Sequence, residues 1–378
     1  MKKVRQKYRF QWHSGNEFKL LVDGDSFFPE MCEAINKASH YVLLEMYLFE
    51  SGKIANQFIK ALMGAVARGV RVYILLDDIG SRGLTKRDRA RMISGGISLL
   101  FYNPLRYSNL RSNLFRDHRK LLLVDGFVAF IGGAGIKDSF GFTTRNGPEW
   151  HEMMVQVKGS VVQDWQTLFT EGWNHCSPKP LELPIHPLKV INGSQLGRVT
   201  LSQAVSHLEI KRSILKRIRS AERKIWIVTP YFVPSWKIRR ALRSAAKNGT
   251  DVRLLLPGPI SDHPAVRHAG RRFYGKLLRG GVQIFEDQTR FVHAKVILCD
   301  HWVSIGSSNM DRWSLRWNLE ANQEIDDQNF AIEVQNLLQQ DFARSQEISY
   351  QQWHNRPWYR RFLEWFWGHV DIWLERRG

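Results

Sequence analysis

Apolar runs and amphipathic stretches alternate along the chain, and their order sets the fold class. Tyr41-Val42-Leu43-Leu44-Glu45-Met46-Tyr47 is a near-continuous apolar run of strand length and reads as a buried strand. From Ile54 to Arg68 apolar positions recur at three and four, as in Ile54, Phe58, Ile59 and Leu62, which predicts a helix with one buried face. Gly69 then stands where a left-handed residue ends a helix. Val70 to Leu76 predicts the next strand, and a second helical stretch ends at Gly95-Gly96.

The same series returns later in the chain. Ile225 to Tyr231 matches Tyr41 to Tyr47, and Trp236 to Asn248 matches the first helix. Gly249 is its stop, Val252 to Leu256 the following strand, and Gly280-Gly281 the second glycine pair. The chain is an internal duplication. Strands alternating with helices predict an α/β fold: two tandem domains, each a mixed or mostly parallel sheet flanked by helices. The expected boundaries are a basic N-terminal segment over 1–17, a first domain over 18–175 and a second over 196–350. Between the domains, 176–195 reads as a linker rich in proline (Pro178, Pro180, Pro184, Pro187).

Each half carries one further pattern after its second glycine pair. His118-Arg119-Lys120-Leu121-Leu122-Leu123-Val124-Asp125 reads H-x-K-x4-D, and so does His293-Ala294-Lys295-Val296-Ile297-Leu298-Cys299-Asp300. Histidine and lysine two apart leave one face of a strand. An apolar run, a turn and a second apolar run follow, ending in Gly132-Gly133 and in Gly306-Ser307-Ser308-Asn309. Two histidines and two lysines at one point suit phosphoryl transfer. One imidazole attacks phosphorus, the other protonates the leaving oxygen, and the lysines hold the non-bridging oxygens.

Composition narrows the partner. Hydrophobic residues make up 43% of 378 residues, enough for real cores, so disorder is not the expectation. The net charge of +19 implies an anionic partner: nucleic acid, an acidic membrane face or phosphate-bearing substrates. Cys32, Cys176 and Cys299 fit neither a metal spacing nor a disulfide framework, so a reducing cytoplasm is the expected compartment. The basic N-terminus has no apolar core of a secretory signal, and no window approaches 18 apolar residues, so any membrane contact is expected to be peripheral. The last segment, 351–378, reads as an amphipathic aromatic and basic helix. Arg360, Arg361, Glu364, Gly368, Asp371 and Glu375 form one strip; Trp358, Phe362, Trp365, Phe366, Val370 and Trp373 cover the opposite side. That pattern suits a helix lying in a bilayer interface, and equally one packed on its own domain.

The duplicated motif resembles that of the phospholipase D superfamily, and within it the short bacterial cardiolipin synthase branch. The resemblance covers nearly the whole chain. Its carriers are Asn113 to Lys120, Thr229-Pro230-Tyr231-Phe232-Val233-Pro234, Gly306-Ser307-Ser308-Asn309-Met310-Asp311, and Ser314 to Asn322. The resemblance implies two sheets related by a pseudo-twofold axis, with both motifs meeting in one shared active site. It implies His118 and His293 as nucleophile and general acid, Lys120 and Lys295 as the phosphate cradle, and Glu152 and Glu320 as acids that orient the histidines. It adds Asn309, with Ser307, on the phosphate side. Asp125 and Asp300 complete the catalytic motifs, although their place along the strand suits fixing the turn. Relatives usually carry asparagine where this chain has Gly135, and the second hairpin is one residue short.

The implied reaction moves a phosphatidyl group from one phospholipid, usually phosphatidylglycerol, to the headgroup hydroxyl of another, through a phosphohistidine. No cofactor or metal is implied. The expected partners are an anionic phospholipid membrane and phospholipid substrates, on the cytoplasmic face of the bacterial inner membrane, with no obligate protein partner. Two rival readings stand beside this one. A phosphodiesterase of the same superfamily, phospholipase or nuclease, would use the basic charge to track its substrate, but no nucleic-acid module accompanies the motifs. A decayed lipid-binding scaffold would explain Gly135, but both histidines and both lysines are retained.

Overall fold

The computed structural model describes residues 8–105, 112–144, 147, 149–183, 191, 193–203, 207–311, 317–359 and 361–367. Pro184, Pro187, residues 314–316, Arg360 and 368–378, with Val370 and Trp373, lie outside the described residues.

The first half contributes strands β1 (His13–Val22), β2 (Tyr41–Met46), β3 (Arg71–Asp77), β4 (Ser98–Tyr102), β5 (Lys120–Val124), β6 (Val128–Gly132) and β7 (Met153–Gly159). The second contributes β8 (Gln195–Gln203), β9 (His207–Leu208), β10 (Lys224–Val228), β11 (Phe232–Val233), β12 (Asp251–Pro257), β13 (Gln283–Asp287), β14 (Val296–Cys299), β15 (Trp302–Gly306), β16 (Met310–Asp311), β17 (Leu319–Asp326) and β18 (Gln346–Glu347). β11 and β16 form a small parallel pair of their own. The other strands join in one mixed sheet ordered β18-β13-β12-β10-β14-β15-β17-β8-β1-β7-β6-β5-β2-β3-β4, with β9 beside β8. Read outward from the central β1–β8 contact, six strands on each side follow in matching order, and β18 and β9 are additions of the second half. In each half three strands run parallel at the outer side, β2-β3-β4 and β10-β12-β13, and the motif hairpins β5-β6 and β14-β15 are antiparallel. The duplication has thus produced one sheet with a pseudo-twofold at its centre.

The helices cover the sheet unequally. Over one face α4 (Val162–Cys176) and α9 (Gln328–Arg344) pack into a single core that runs under both halves, with Trp165, Phe169, Phe330 and Phe342 buried. Trp165 donates from its ring nitrogen to Gln323 of β17 at 2.8 Å, so a first-half helix is tied to a second-half strand. The other face has two separate cores. α1 (Gly24–Asn36), α2 (Lys53–Ala67) and α3 (Lys86–Ser94) cover the first half; α5 (Glu209–Ser220), α6 (Trp236–Lys247), α7 (Pro264–Arg271) and α8 (Tyr274–Leu278) cover the second. Gly69 and Gly249 stand just past α2 and α6 at φ +85° and +91°, a conformation that glycine takes without a Cβ clash.

One expected boundary shifts. Residues 13–17 are the first residues of β1 and not part of a separate basic segment. Just before them, Tyr8 and Trp12 lie against the Arg198 guanidinium at 3.9 and 4.6 Å, so the N-terminal stretch reaches into the second half. At the other end α10 (Tyr350–His354) is followed by a helical stretch described to residue 367. That stretch docks through Glu364 and through Trp367, which packs against the second-half core. Glu364 is buried and accepts from Arg356 at 2.8 Å, with Arg271 at 3.5 Å. Its aromatic side faces outward: Trp358 is 78% exposed, Trp365 58% and Phe362 54%.

Candidate functional site

The site forms where each motif enters its strand. The segment leading into β5 pairs with the start of β17: His118 N–H donates to the Leu319 carbonyl at 3.0 Å and Leu319 N–H to that of Arg116 at 2.9 Å. The pseudo-symmetric contact joins the entry to β14 with the start of β7, through His151 N–H to the Phe291 carbonyl at 2.9 Å and His293 N–H to the His151 carbonyl at 2.8 Å. Each motif is therefore anchored on the opposite half. The residue after each anchor is a glutamate, and both glutamates are buried.

As a result the acids cross over. His118 Nδ1 lies 3.1 Å from Glu320, and His293 Nδ1 lies 2.6 Å from Glu152. A carboxylate on Nδ1 fixes the ring and leaves Nε2 for chemistry. His118, Lys120, His293 and Asn309 line one cavity of about 560 Å³, with Tyr47, Tyr231 and Trp150 also on its wall. Tyr47 packs against His118 with ring centroids 4.6 Å apart. Phe140, Trp150 and Phe291 enclose the His293 ring at 5.2, 5.4 and 5.6 Å. Lys295 sits against His293, its Nζ 2.9 Å from Nδ1 and 3.7 Å from Glu152. Lys120 donates to the His118 carbonyl.

Burial dominates the electrostatics. It pushes Lys120 down to about 7 and Lys295 to about 8, against the pull of the neighbouring glutamates. It also pushes His293 down to about 4, with Lys295 adding repulsion, and His118 moves the same way. Burial works in the opposite sense on Glu152, but Lys295 and His293 outweigh it and hold that carboxyl below its usual range. Without an anion, the site disfavours its own positive charges. A phosphodiester between the lysines would reverse that bias.

Asp125 and Asp300 leave the catalytic set. Each lies beyond the far end of its motif strand in a left-handed conformation, φ 52° and 53°. Asp125 accepts backbone N–H from Ser39, His40 and Tyr41, each at 2.8 Å; Asp300 accepts from Glu222, Arg223 and Lys224 at 2.9, 3.0 and 2.9 Å. They clamp the loops entering β2 and β10. The two clamps align Tyr41 with Lys224, one residue before the Ile225 that sequence matching pairs with it. The short second hairpin leaves the site intact. Leu121 pairs with Ile131 and Val296 with Ile305, so the missing residue comes out of the remote turn.

The glycines of the first half have reasons of their own. A Cβ on Gly133 would stand 2.3 Å from Glu152, whereas Ser307 at the matching place donates its hydroxyl to Glu320. A Cβ on Gly135 would meet Leu48 at 2.7 Å, so an asparagine has no room here.

Sequence reading passed over His151. Fully buried, it bridges Asp23 at 2.8 Å and Asp341 at 3.1 Å, one from each half. Burial alone would lower its pKa; the two carboxylates prevail and push it up to about 9. Asp23 also accepts the Glu152 N–H at 3.0 Å, so the charged imidazole braces the acid that orients His293. Its signal was a polar residue flanked by Trp150 and a strand. The buried set Glu45, Asp117 and Arg119 was also missed: Arg119 pairs with Glu45 at 2.7 Å and with Asp117 at 3.0 Å beside His118. Glu45 was marked as a charge inside an apolar run; Asp117 and Arg119 stand in the charged stretch Arg116–Lys120, where nothing sets them apart.

Comparison with known proteins decides the family. The family model described as cardiolipin synthase, PLD-like domain, matches residues 31–173 and 214–344. The chain belongs to this family. Cardiolipin synthase B of Salmonella typhi is 34% identical over 336 residues, 87% of this chain and 81% of that protein. The cardiolipin synthase of Alkalihalophilus pseudofirmus is 30% identical over 355 residues, 92% and 70% of the two chains. In fold the chain is similar to phosphatidylserine synthase from Haemophilus influenzae Rd KW20, with a TM-score of 0.72 over 94% of both chains at 14% identity. The family model's match falls in two pieces, one on each side of β8. Each piece contains one motif and one of the crossing glutamates.

Proposed function

We propose that this chain is a cardiolipin synthase-type phosphatidyltransferase acting on phosphatidylglycerol. The observation that carries the reading is one cavity holding two histidines from two motifs, each oriented by a buried glutamate of the other half. His118 Nε2 attacks phosphorus, and the bond to the glycerol oxygen breaks. His293, protonated once the phosphodiester is bound, gives its proton to that oxygen, and glycerol leaves. Neutral His293 then takes the proton from a primary hydroxyl of the second lipid's headgroup. That oxygen displaces His118 from phosphorus, and cardiolipin forms. Lys120 and Asn309 hold the phosphoryl oxygens, and Lys295 holds the charge beside His293. The aromatic wall around His293 favours an alcohol on a lipid over water at the second step.

The protein works peripherally, on the cytoplasmic face of an anionic inner membrane. The charge of +19 and the outward aromatic side of the C-terminal stretch support this. None of the described helices is long and apolar enough to cross a membrane. The test is incubation of the pure protein with labelled phosphatidylglycerol in chelator, with products separated by mass. Cardiolipin and glycerol in equal amounts are expected. Phosphatidic acid alone would make it a hydrolase, and no turnover with retained lipid binding would make it a scaffold.

A further inference from the structure

Away from the catalytic cavity, a groove of about 420 Å³ lies between α6 and α8. Trp236, Arg239, Arg240, Arg243, Lys247 and Lys276 line it, over Phe273 and Leu277, and no acid is among its lining residues. Two of the guanidinium groups are held on rings: Arg239 on Phe273 at 3.9 Å and Arg240 on Trp236 at 5.2 Å. Trp236 itself is 57% exposed. The fold does not require this charge. The pseudo-symmetric helix α2 turns Lys53, Asn56, Gln57 and Lys60 to solvent. We infer that the α6–α8 groove binds the phosphate headgroup of an anionic glycerophospholipid, as a second lipid site separate from the catalytic cavity.

The charge alone would also suit a nucleic acid. The surroundings select a bilayer. Arg271, two residues before Phe273, pairs with Glu364 and so joins the groove's wall to the C-terminal stretch. That stretch exposes Trp358, Phe362 and Trp365 on the outside of a helix, an apolar surface that a lipid interface covers. Trp236 at the groove's rim has the same amphipathic character. Arginine forks hold phosphate, and the rings beside them meet the glycerol and upper acyl region. The inference rests on the phosphatidyl-transfer reading only for the choice of lipid.

The test uses the full chain and vesicles of phosphatidylcholine with or without phosphatidylglycerol. Arg240→Ala/Lys247→Ala/Lys276→Ala changes exposed side chains, and Lys53→Ala/Lys60→Ala on α2 is the matched control. Arg240→Gln alone serves if the triple variant melts early. The triple variant should bind phosphatidylglycerol vesicles roughly 100-fold more weakly, and the single variant several-fold, while turnover of short-chain soluble phosphatidylglycerol stays unchanged. Unchanged vesicle binding overturns the proposal, as does an equal loss in the α2 control. Displacement by millimolar inorganic phosphate would make it a free-phosphate site, and tighter binding of a single-stranded oligonucleotide than of vesicles would make it a nucleic-acid site; either refutes the lipid assignment. Failure of the soluble-substrate assay in the parent protein would instead count against the transferase reading.

Discussion

The two halves share a frame and differ in what they hang on it. Both clamp the loop before their first parallel strand with an aspartate at positive φ, and both send a glutamate across to the other half's histidine. Around that frame the side chains have diverged. Gly133 and Gly135 stand where the second half has Ser307 and Asn309. His151, a buried cation, matches Leu319, whose side chain packs against the shared core. His293 is boxed by three aromatics, while His118 has Tyr47 beside it. The register that brings the two motifs together is the same in both halves. The walls differ, and in the proposed reaction the two histidines have different tasks.

The largest expected effect tests whether the halves act as one unit. His118→Ala and His293→Ala should each remove turnover, by roughly four orders of magnitude or more, because catalytic groups that act together fail together. Near-normal activity in either variant would break the two-histidine assignment. A phosphate trapped on His293 would exchange the roles and keep the rest.

The crossing comes next. Glu320→Gln should cost about 100-fold or more and lower the titration point of His118 in an NMR titration, leaving His293 in place; Glu152→Gln should do the reverse. If each glutamate instead shifts the histidine of its own half, the crossed pairing is wrong.

A smaller effect comes from pH. In the free enzyme Lys120 and Lys295 lose their charge as pH rises through about 7 and 8. kcat/KM should therefore fall over that window, while kcat, measured with the phosphodiester bound, falls only at higher pH. Lys120→Arg stays charged and should lose much of the alkaline fall. An identical alkaline limb in both profiles would contradict the anion-restored charge.

His151 separates the halves by stability. Its pKa is raised when folded, so its contribution is full below about 6.5 and is lost as pH rises through about 9. Denaturant melts of the native chain and His151→Leu should converge with rising pH across that window, from a gap on the order of 3 kcal/mol. A pH-independent gap would mean that the imidazole is neutral. The smallest effect is expected at the glycine positions. Asn309→Gly, which copies the first half, should slow turnover about tenfold without changing the melt. Gly135→Asn, which copies the second, should destabilise by about 1–3 kcal/mol through the clash with Leu48. A stable, active Gly135→Asn would show that Leu48 yields.

Much of the frame was written locally. Apolar runs marked β2, β3, β10 and β12, the period of three to four marked α2 and α6, and Gly69 and Gly249 marked their ends, because these signals depend only on near neighbours. The duplication and both H-x-K pairs could be read in the same way. What lay beyond sequence was set by contacts between distant residues. β1 and β8 fuse two expected sheets into one, and their pairing is visible only when both halves are in place. Asp125 and Asp300 belong to the catalytic motifs, but their place along the strand already suited a structural role; that their carboxylates hold loops far away in sequence was visible only in the structure. Either glutamate is an equally good partner for either histidine in a list of residues. Only the anchoring of each motif on the opposite half decided the crossing, since a hydrogen bond of about 3 Å requires an approach that chain order does not encode.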